Sequence, residues 1–384
     1  MKKTLKKASI AALTLALSAC NTFFDKDNTP PPSPLSSFTP EANVQTAWSV
    51  STGSGVGSDY LKLVPAVTDT QLFTANPDGT VTATDRNTGR SLWRVNTHTS
   101  ISAGPTAADG LVLIGDRNGI VLALRQQNGD IAWKSEASSE ILAAPAAAQG
   151  VVLIKSVDGR LSAFSETDGH PLWHYQQTEP TLILRGASTP KITQNAVFVG
   201  FANGTLSKLT LQGGNQLWQQ TIAVPQGAYT IQRMVDIDAD PVIFNDRLFA
   251  ATYQGRISAL APSSGNELWS YEISSYSGIA ADQNRVYVSD AKSHIWAFDA
   301  ESGAVDWRQP KLEARNITGP AVMGNYIVVG DAQGYLHWLN KKDGHFVART
   351  KVSGSGIIAT PVVSNNTLYV VTTDGRLAAY TITL

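Results

Sequence analysis

Residues 65–93 read PAVTDTQLFTANPDGTVTATDRNTGRSLW, and this stretch decides the fold because the rest of the chain repeats its plan. It opens at Pro65, turns at Gly79 and again at Gly89, and ends at Trp93. The runs between the turns are rich in apolar and β-branched residues, which favour short strands. The glycines suit tight hairpins that need a positive φ, which a Cβ disfavours.

The same plan recurs along the chain, eight times in all. A proline opens most copies, a glycine follows fourteen residues later, a second glycine after ten more, and a tryptophan after another four. The tryptophans at this position are Trp93, Trp133, Trp173, Trp218, Trp269 and Trp307. The seventh copy has Ala348 there instead, and we expect Phe346, on the same strand face, to supply the missing ring. A period near 40 residues with four strands per copy is typical of propeller blades.

The eighth copy stops at Leu384, before its own fourth strand and tryptophan. Residues 46–50, which contain Trp48, look like a fourth strand that no third strand precedes. Pairing them with residues 361–384 would complete one blade from both termini and close the ring without exposed sheet edges. The sequence therefore predicts an all-β, eight-bladed β-propeller, with four antiparallel strands in each blade and a ring closed by its N- and C-terminal strands.

The N-terminal residues predict export and lipidation. Residues 1–19 combine four lysines with a short apolar run, as in a cleaved signal peptide that is too short to span a bilayer. The end of this segment, Leu17-Ser18-Ala19-Cys20, is similar to a bacterial lipobox, so we expect Cys20 to carry lipid. An ordinary secretory signal followed by a chance cysteine is the alternative.

The residues after the lipobox predict where the protein is anchored. Residue 21 is Asn21, not the Asp that marks inner-membrane retention in enterobacterial lipoproteins, so we expect the periplasmic face of the outer membrane. Residues 20–43 contain five prolines among polar residues and predict an extended tether that does not pack. The propeller itself is expected at residues 44–384.

Composition argues against several classes of function. The chain of 384 residues has a formal net charge of −1, so it has no basic excess to neutralise the phosphates of a nucleic acid. It has one cysteine, and its six histidines form no metal-binding pair. No Gly-x-Ser-x-Gly motif of a serine hydrolase occurs. The sequence thus predicts a binding protein without catalytic residues, metal or cofactor.

Residues 83–93 and 297–307 follow the pattern Ala-x-Asp-x-x-Thr/Ser-Gly-x-x-x-Trp. This pattern resembles the tryptophan-docking motif of quinoprotein dehydrogenase propellers. That resemblance would imply pyrroloquinoline quinone on the axis, beside a calcium ion and a carboxylate base. A single cysteine excludes the vicinal disulfide common in those enzymes, and no acidic cluster stands out on the inner strands. A quinone-dependent dehydrogenase is therefore only the alternative.

Over the whole mature chain, the sequence resembles the BamB family, the cofactor-free propeller lipoproteins of the machinery that folds β-barrel proteins into the outer membrane. The resemblance covers the lipobox, the tether, the eight repeats and the terminal strands. Local matches include residues 181–186, 236–238 and 334–338.

Departures from the repeat length indicate where a partner binds. The two longest connections from a fourth strand to the next blade are neighbours on one face, at residues 174–189 and 219–240. The first holds apolar residues beside an arginine, a residue favoured at binding hot spots, and the second holds carboxylates that could pair with a basic patch. The candidate contact residues are Leu182, Leu184, Arg185, Arg233, Asp236 and Asp238.

Structural explanations of these residues stay open. Leu182 and Leu184 could tuck under their loop as a small local core. Asp236 and Asp238 could cap turns or pair with Arg233. A calcium site built from these carboxylates and Asp240 is a further alternative, although the loop lacks a full set of ligands.

The family resemblance implies a partner for the same residues. In similar proteins a Leu-x-Leu-Arg stretch and an Asp-x-Asp pair contact the periplasmic POTRA domains of the barrel subunit BamA. They match Leu182, Leu184 and Arg185, and Asp236 and Asp238, here. The resemblance implies a non-enzymatic scaffold that binds BamA and works with the other Bam subunits. Strand edges could also take unfolded outer-membrane proteins, and a scaffold of another envelope complex is the rival hypothesis.

Overall fold

A computed structural model describes residues 29–185 and 188–383 of the chain. The first strand is β1 (Asn43–Ser51). Blade 1 contains β2 (Ala66–Val67), β3 (Gln71–Ala75), β4 (Thr80–Asp85) and β5 (Ser91–Asn96). Blade 2 contains β6 (Ile101–Ala108), β7 (Leu111–Asp116), β8 (Ile120–Arg125) and β9 (Ile131–Glu136). Blade 3 contains β10 (Ala146–Ala148), β11 (Val151–Lys155), β12 (Arg160–Ser165) and β13 (Pro171–Gln176).

The later blades have the same four-stranded plan. Blade 4 contains β14 (Lys191–Thr193), β15 (Ala196–Gly200), β16 (Thr205–Thr210) and β17 (Gln216–Thr221). Blade 5 contains β18 (Val242–Phe244), β19 (Arg247–Ala251), β20 (Arg256–Leu260) and β21 (Glu267–Glu272). Blade 6 contains β22 (Gly278–Ala281), β23 (Arg285–Ser289), β24 (Ile295–Asp299) and β25 (Val305–Gln309). Blade 7 contains β26 (Ala321–Met323), β27 (Tyr326–Gly330), β28 (Tyr335–Asn340) and β29 (Phe346–Lys351).

Blade 8 is built from both ends of the chain. Its strands are β30 (Val362–Ser364), β31 (Thr367–Val371), β32 (Arg376–Thr383) and β1. Strand β1 pairs antiparallel with β32 from Asn43 opposite Thr383 to Ser51 opposite Arg376. The predicted eight-bladed propeller, with a ring closed by its terminal strands, is therefore confirmed.

The seams between blades are formed by the tryptophan and glycine that recur at the same spacing in the repeats. The tryptophan of one blade packs on the glycine of the next blade. The indole of Trp93, on the outer strand of blade 1, lies over Gly129 in the last hairpin of blade 2, and its Nε1–H donates to the Gln126 carbonyl at 2.8 Å. A Cβ on Gly129 would come within 2.8 Å of the indole, so the contact requires glycine as well as the positive φ. The equivalent pairs at the other seams are Trp48–Gly89, Trp133–Gly169, Trp173–Gly214, Trp218–Gly265, Trp269–Gly303 and Trp307–Gly344.

The seam between blades 7 and 8 is different, and the structure explains why Ala348 is tolerated there. Blade 8 has no hairpin before its outer strand, because that strand comes from the other end of the chain. A tryptophan on blade 7 would therefore have no docking glycine. The buried side chains of Trp338 and Tyr380 fill this seam edge to face, with ring centroids 6.4 Å apart. The expectation for Phe346 is wrong, because its ring packs towards Trp307 of blade 6.

Residues 33–41, assigned to the tether from the sequence, lie against blade 7. The Phe38 ring stacks on Phe346 at 5.7 Å, and Glu41 N–H donates to the Val347 carbonyl at 2.9 Å. Arg349 donates to the Ser36 carbonyl at 3.0 Å and lies over the Phe38 ring. The expectation of an unpacked chain is wrong for this stretch, because the Phe38 ring and the backbone groups of Ser36 and Glu41 bind residues of the outer strand β29.

The signal peptide and Cys20 lie outside the described residues. Within the described ranges the helical element is a single 3₁₀ turn, Thr230–Arg233. None of the helices in that part of the chain has the length and apolar character needed to cross a membrane.

Candidate partner-binding face

Two long loops join neighbouring blades on one face of the propeller. The 177–190 loop connects blades 3 and 4, and the 222–241 loop connects blades 4 and 5 and contains the 3₁₀ turn. Leu184 N–H donates to Asp236 Oδ1 at 2.9 Å, and Thr189 N–H donates to Asp240 Oδ1 at 2.6 Å. Carboxylates of the second loop therefore hold the backbone of the first, and the structure brings together the two segments that the sequence singled out.

The first loop presents some of its predicted residues to solvent. The Leu182 side chain is exposed, whereas Leu184 is half-buried. Arg185 is exposed, and its Nη2 lies 2.6 Å from Glu140 Oε1, on the loop between blades 2 and 3. The local-core explanation thus applies in part to Leu184, and Leu182 and Arg185 form the accessible surface.

In the second loop, Arg233 is exposed, but the following residues from Met234 to Ala239 are buried. Asp236 is only 1% exposed, and its carbonyl accepts the Tyr253 N–H at 2.9 Å. Burial, reinforced by the neighbouring Asp238 carboxylate, raises the Asp236 pKa to about 7. Asp236 therefore acts on the surface indirectly, by holding Leu184 in place.

Asp238 is also buried, at 6% exposure, and faces a cavity on the propeller axis. Burial raises its pKa to about 6, while the ammonium groups of Lys62 and Lys155 oppose that shift. Within the described residues, Arg233 forms no ion pair with Asp236 or Asp238, so that explanation of the carboxylates does not hold.

Sequence reasoning missed three exposed apolar side chains of the second loop: Val224 at 61%, Tyr229 at 70% and Ile231 at 62% exposure. Tyr229 and Ile231 lie at the 3₁₀ turn, where Gln232 accepts the N–H of Tyr229 and Gln254 binds the Ile231 carbonyl. The signal was present, because these are apolar residues in an unusually long loop.

The arrangement does not suit a metal or a calcium-bound quinone. In the described ranges, no group of three or more histidine, cysteine, aspartate or glutamate side chains is placed to hold a metal ion. Asp236 and Asp240 are each committed to a backbone N–H of the first loop. The donor set that a quinone's calcium ion requires is therefore not assembled from these carboxylates.

Comparison with known proteins gives the family. A family model described as outer membrane protein assembly factor BamB matches residues 77–309 and 307–383. The outer membrane protein assembly factor BamB of Alkalilimnicola ehrlichii is 46% identical over 380 residues, which cover 99% of this chain and 98% of that protein.

Solved structures agree on the fold. The crystal structure of BamB from Moraxella catarrhalis superposes with a TM-score of 0.82 at 24% identity, covering 88% of this chain and all of the other. Quinohemoprotein alcohol dehydrogenase from Comamonas testosteroni matches with a TM-score of 0.69 at 12% identity, covering 88% of this chain and 76% of the enzyme, and shares the architecture alone. Both the family model and the relative at 46% identity span most of the propeller. The chain therefore belongs to the BamB family of outer membrane protein assembly factors.

Proposed function

We propose that this protein is a non-enzymatic scaffold subunit of the outer-membrane β-barrel assembly machinery. Its relatives are named for assembly and not for a reaction, which supports a binding role. A lipid on Cys20 would hold it at the periplasmic face of the outer membrane. The propeller supplies a rigid disc, because tryptophans lock seven of its seams and the terminal strands close the ring.

The partner we propose is the set of POTRA domains of the barrel subunit BamA, with the other Bam subunits in the same complex. The observation that carries this proposal is that hydrogen bonds from the first loop to Asp236 and Asp240 join the two long loops. Leu182 is an accessible apolar anchor, and the exposed guanidinium groups of Arg185 and Arg233 lie in the same two loops. An apolar centre with arginine nearby is the usual anatomy of a protein interface.

The remaining predicted residues have a supporting role in this proposal. Leu184 is half-buried, and Asp236 fixes the Leu184 backbone. Because the loops are held before the partner arrives, little conformational entropy is lost on binding. The disc would then keep the POTRA domains in one orientation while a barrel protein is folded.

Co-purification from gently solubilised membranes tests the function. Tagged wild type should retain the barrel subunit, and Leu182→Glu/Arg185→Ala should lose most of it, because a charge replaces the anchor. Leu268→Glu/Arg90→Ala is the matched control, since it alters an exposed leucine and an exposed arginine outside the two loops. We expect the control to retain the barrel subunit fully.

Each other outcome has a definite meaning. If wild type retains a different envelope complex, the assignment to the barrel machinery is wrong. If both double variants retain the barrel subunit, these loops are not the contact surface. Circular dichroism of each purified variant establishes that the propeller is still folded.

A further inference from the structure

Residues 33–41 lie along the outer strand of blade 7, and aromatic contacts hold their middle. The Phe38 ring stacks on the Phe346 ring at 5.7 Å. The Arg349 guanidinium lies 5.0 Å from the centroid of the first ring and 5.3 Å from that of the second. At the end near β1, Glu41 Oε2 lies 3.1 Å from His345 Nε2. A stack of two rings beside a cation favours an aromatic side chain, so this contact selects Phe38.

Two arginines bind the backbone of the same segment. Arg315 is only 2% exposed, and its guanidinium donates to the Ser33 carbonyl at 2.9 Å and to Asp331 Oδ2 at 2.8 Å. Arg349 donates to the Ser36 carbonyl at 3.0 Å. A buried guanidinium is costly unless its donors find acceptors, so the Ser33 carbonyl helps to satisfy Arg315.

A buried histidine joins the two arginines. His337 Nε2 lies 2.9 Å from Asp331 Oδ2, the atom that also binds the Arg315 guanidinium. On the other side of the ring, His337 Nδ1 accepts from Arg349 Nε at 3.1 Å. Burial lowers the pKa of His337, so the neutral ring can donate at Nε2 and accept at Nδ1. The contacts therefore form one continuous chain, which holds both guanidinium groups in place for the segment.

Strand β1 determines where the tether would leave the propeller without these contacts. The binding face carries the loops that join each outer strand to the next blade, and the connection from β1 to blade 1 is one of them. Because β1 ends at Ser51 on this face, it begins at Asn43 on the opposite face. A tether that made no contacts would therefore leave from the face that is turned away from the two long loops.

The contacts of residues 33–41 move this exit point. Ser33 lies beside the 310–320 loop, which joins the outer strand of blade 6 to blade 7 and so belongs to the binding face. Its N–H donates to the Glu313 carbonyl at 3.0 Å, and its hydroxyl donates to the Lys311 carbonyl at 3.1 Å. The held segment thus runs back along blade 7, and the free tether starts at the rim of the binding face.

The path of the segment changes both the position and the length of the free tether. Eight blades in chain order close the ring, so blade 7 lies across it from blade 3, where the 177–190 loop begins. The free tether is shortened from residues 20–43 to residues 20–33. At about 3.3–3.6 Å per residue, its greatest reach falls from about 80 Å to about 45 Å. The lipid and the partner would therefore hold the same face at two opposite points.

We propose that Arg315, Phe346 and Arg349 form a clamp for the lipid tether, and that this clamp makes the membrane anchor leave from the binding face. The proposal rests on the proposed function, because it takes Cys20 as the lipidated residue and the two long loops as the contact with the partner. It adds an orientation to that function, since the anchor acts on blades 6 and 7 and the partner on blades 3 to 5. The shorter tether also raises the effective concentration of the disc at the membrane surface.

Energy transfer from the propeller to a membrane tests the clamp. The full protein, exported and lipidated in the bacterium, is placed in vesicles of phosphatidylethanolamine and phosphatidylglycerol that carry an acceptor-labelled lipid. A donor is attached to Lys292→Cys, where the Lys292 carbonyl accepts the Ala314 N–H beside the tether exit, or to Lys342→Cys, in the blade 7 hairpin on the opposite face. With the clamp intact, we expect transfer from the first label to exceed that from the second about twofold, because the tether leaves next to the first.

The variants compare the clamp with an equivalent position on the neighbouring blade. Phe38→Ala/Arg349→Ala removes the ring stack and one backbone contact. Ser37→Ala/Arg308→Ala is the matched control, because Ser37 is exposed and Arg308 takes the position of Arg349 on blade 6, over the Trp296 ring. We expect the first variant to lose the difference between the two labels and the control to keep it. Phe38→Ala alone alters no residue of the eight blades and should reduce the difference, which separates the clamp from a folding defect.

The outcomes separate the clamp from the proposed function. If the unsubstituted protein does not stay on the vesicles, the lipid anchor is wrong and the clamp falls with it. If the protein is anchored but the two labels give equal transfer, or if the difference survives in Phe38→Ala/Arg349→Ala, the clamp is wrong and the anchored scaffold stands. Loss of the difference in both double variants would also overturn the proposal, because the named contacts would not be its cause.

Discussion

Polar groups at the seams between blades have hydrogen-bond partners, whereas some polar groups on the loops of the binding face have none among the described residues. At seven seams an indole N–H finds a carbonyl on the next blade, and its ring covers a glycine that leaves no gap. On the loops, Asp236 has an oxygen without a donor, Asp238 faces a cavity, and large apolar side chains stand in solvent. The difference indicates that the seams are built for stability, and the less stable arrangement of the loops fits the binding role that we propose for them.

The largest effect should come from breaking a seam. We expect Trp93→Ala to lower the free energy of unfolding by about 3 kcal/mol, because it removes a large half-buried ring together with its hydrogen bond to Gln126. Denaturant unfolding of the purified propeller measures this change. Leu92→Ala is the control, since the neighbouring side chain is 38% exposed, and should change stability by less than about 0.5 kcal/mol. Equal losses in both variants would show that the indole is not the seam's main contact.

A smaller effect should follow from filling the glycine beneath the ring. Gly129→Ala places a Cβ 2.8 Å from the Trp93 ring at a φ of +79°, so both crowding and backbone strain oppose it. We expect a loss of about 1–3 kcal/mol in the same unfolding experiment. Gly110→Ala has a similar φ of +82° with no neighbour within 4 Å, so it measures the backbone strain alone. If the two variants lose the same stability, the ring does not need the missing Cβ.

The comparison also shows what the sequence could predict. The seams are encoded in the repeat, because the positions of Trp93 and Gly129 recur at the same spacing in copy after copy. The fold could therefore be predicted from this spacing alone. The loops have no repeat to compare with, and carboxylates are usually exposed, so the burial of Asp236 and Asp238 could not be inferred. The candidate residues were found from loop length. Their division into accessible and supporting side chains needed the three-dimensional structure.

Two other expectations failed for a related physical reason. Proline-rich stretches rarely pack, yet Phe38 finds a ring to stack on at blade 7. The Phe346 ring was expected to take the place of the missing tryptophan, but the bulge in its strand turns this ring towards blade 6. The first outcome depends on a contact between residues 308 positions apart and the second on an irregularity in strand pairing, and local sequence patterns record neither.

A substitution on the loops should raise stability, in contrast to the losses expected at the seams. We expect Asp238→Asn to stabilise the fold. The folded pKa is raised to about 6 from an ordinary value of 3.8, so the unfolded chain ionises first and wild-type stability falls as pH rises from about 4 to about 6. Asparagine cannot ionise and avoids this loss. We expect equal melting temperatures near pH 4, and a variant that melts at least roughly 2 °C higher at pH 8.

Thermal unfolding across this pH range measures the effect, and Glu272→Gln, which removes a carboxylate from an exposed strand position, serves as the control. A variant that is less stable than wild type at pH 8 would mean that Asp238 has a stabilising partner in the free protein.

The smallest effect on stability should come from Arg185→Ala. The same variant should nevertheless have a large effect on binding, which no seam residue is expected to have. The Arg185 side chain is 63% exposed, and its pairing with Glu140 resembles a surface ion pair, so the free energy of unfolding should change by less than about 1 kcal/mol. Binding to the periplasmic domains of the barrel subunit should nevertheless weaken about tenfold, as for a hot-spot arginine. Glu140→Gln is the matched variant, because it removes the intramolecular partner and leaves the guanidinium in place. If Glu140→Gln weakens binding as much as Arg185→Ala does, the ion pair serves to hold the loop; if only Arg185→Ala does, the guanidinium itself contacts the partner.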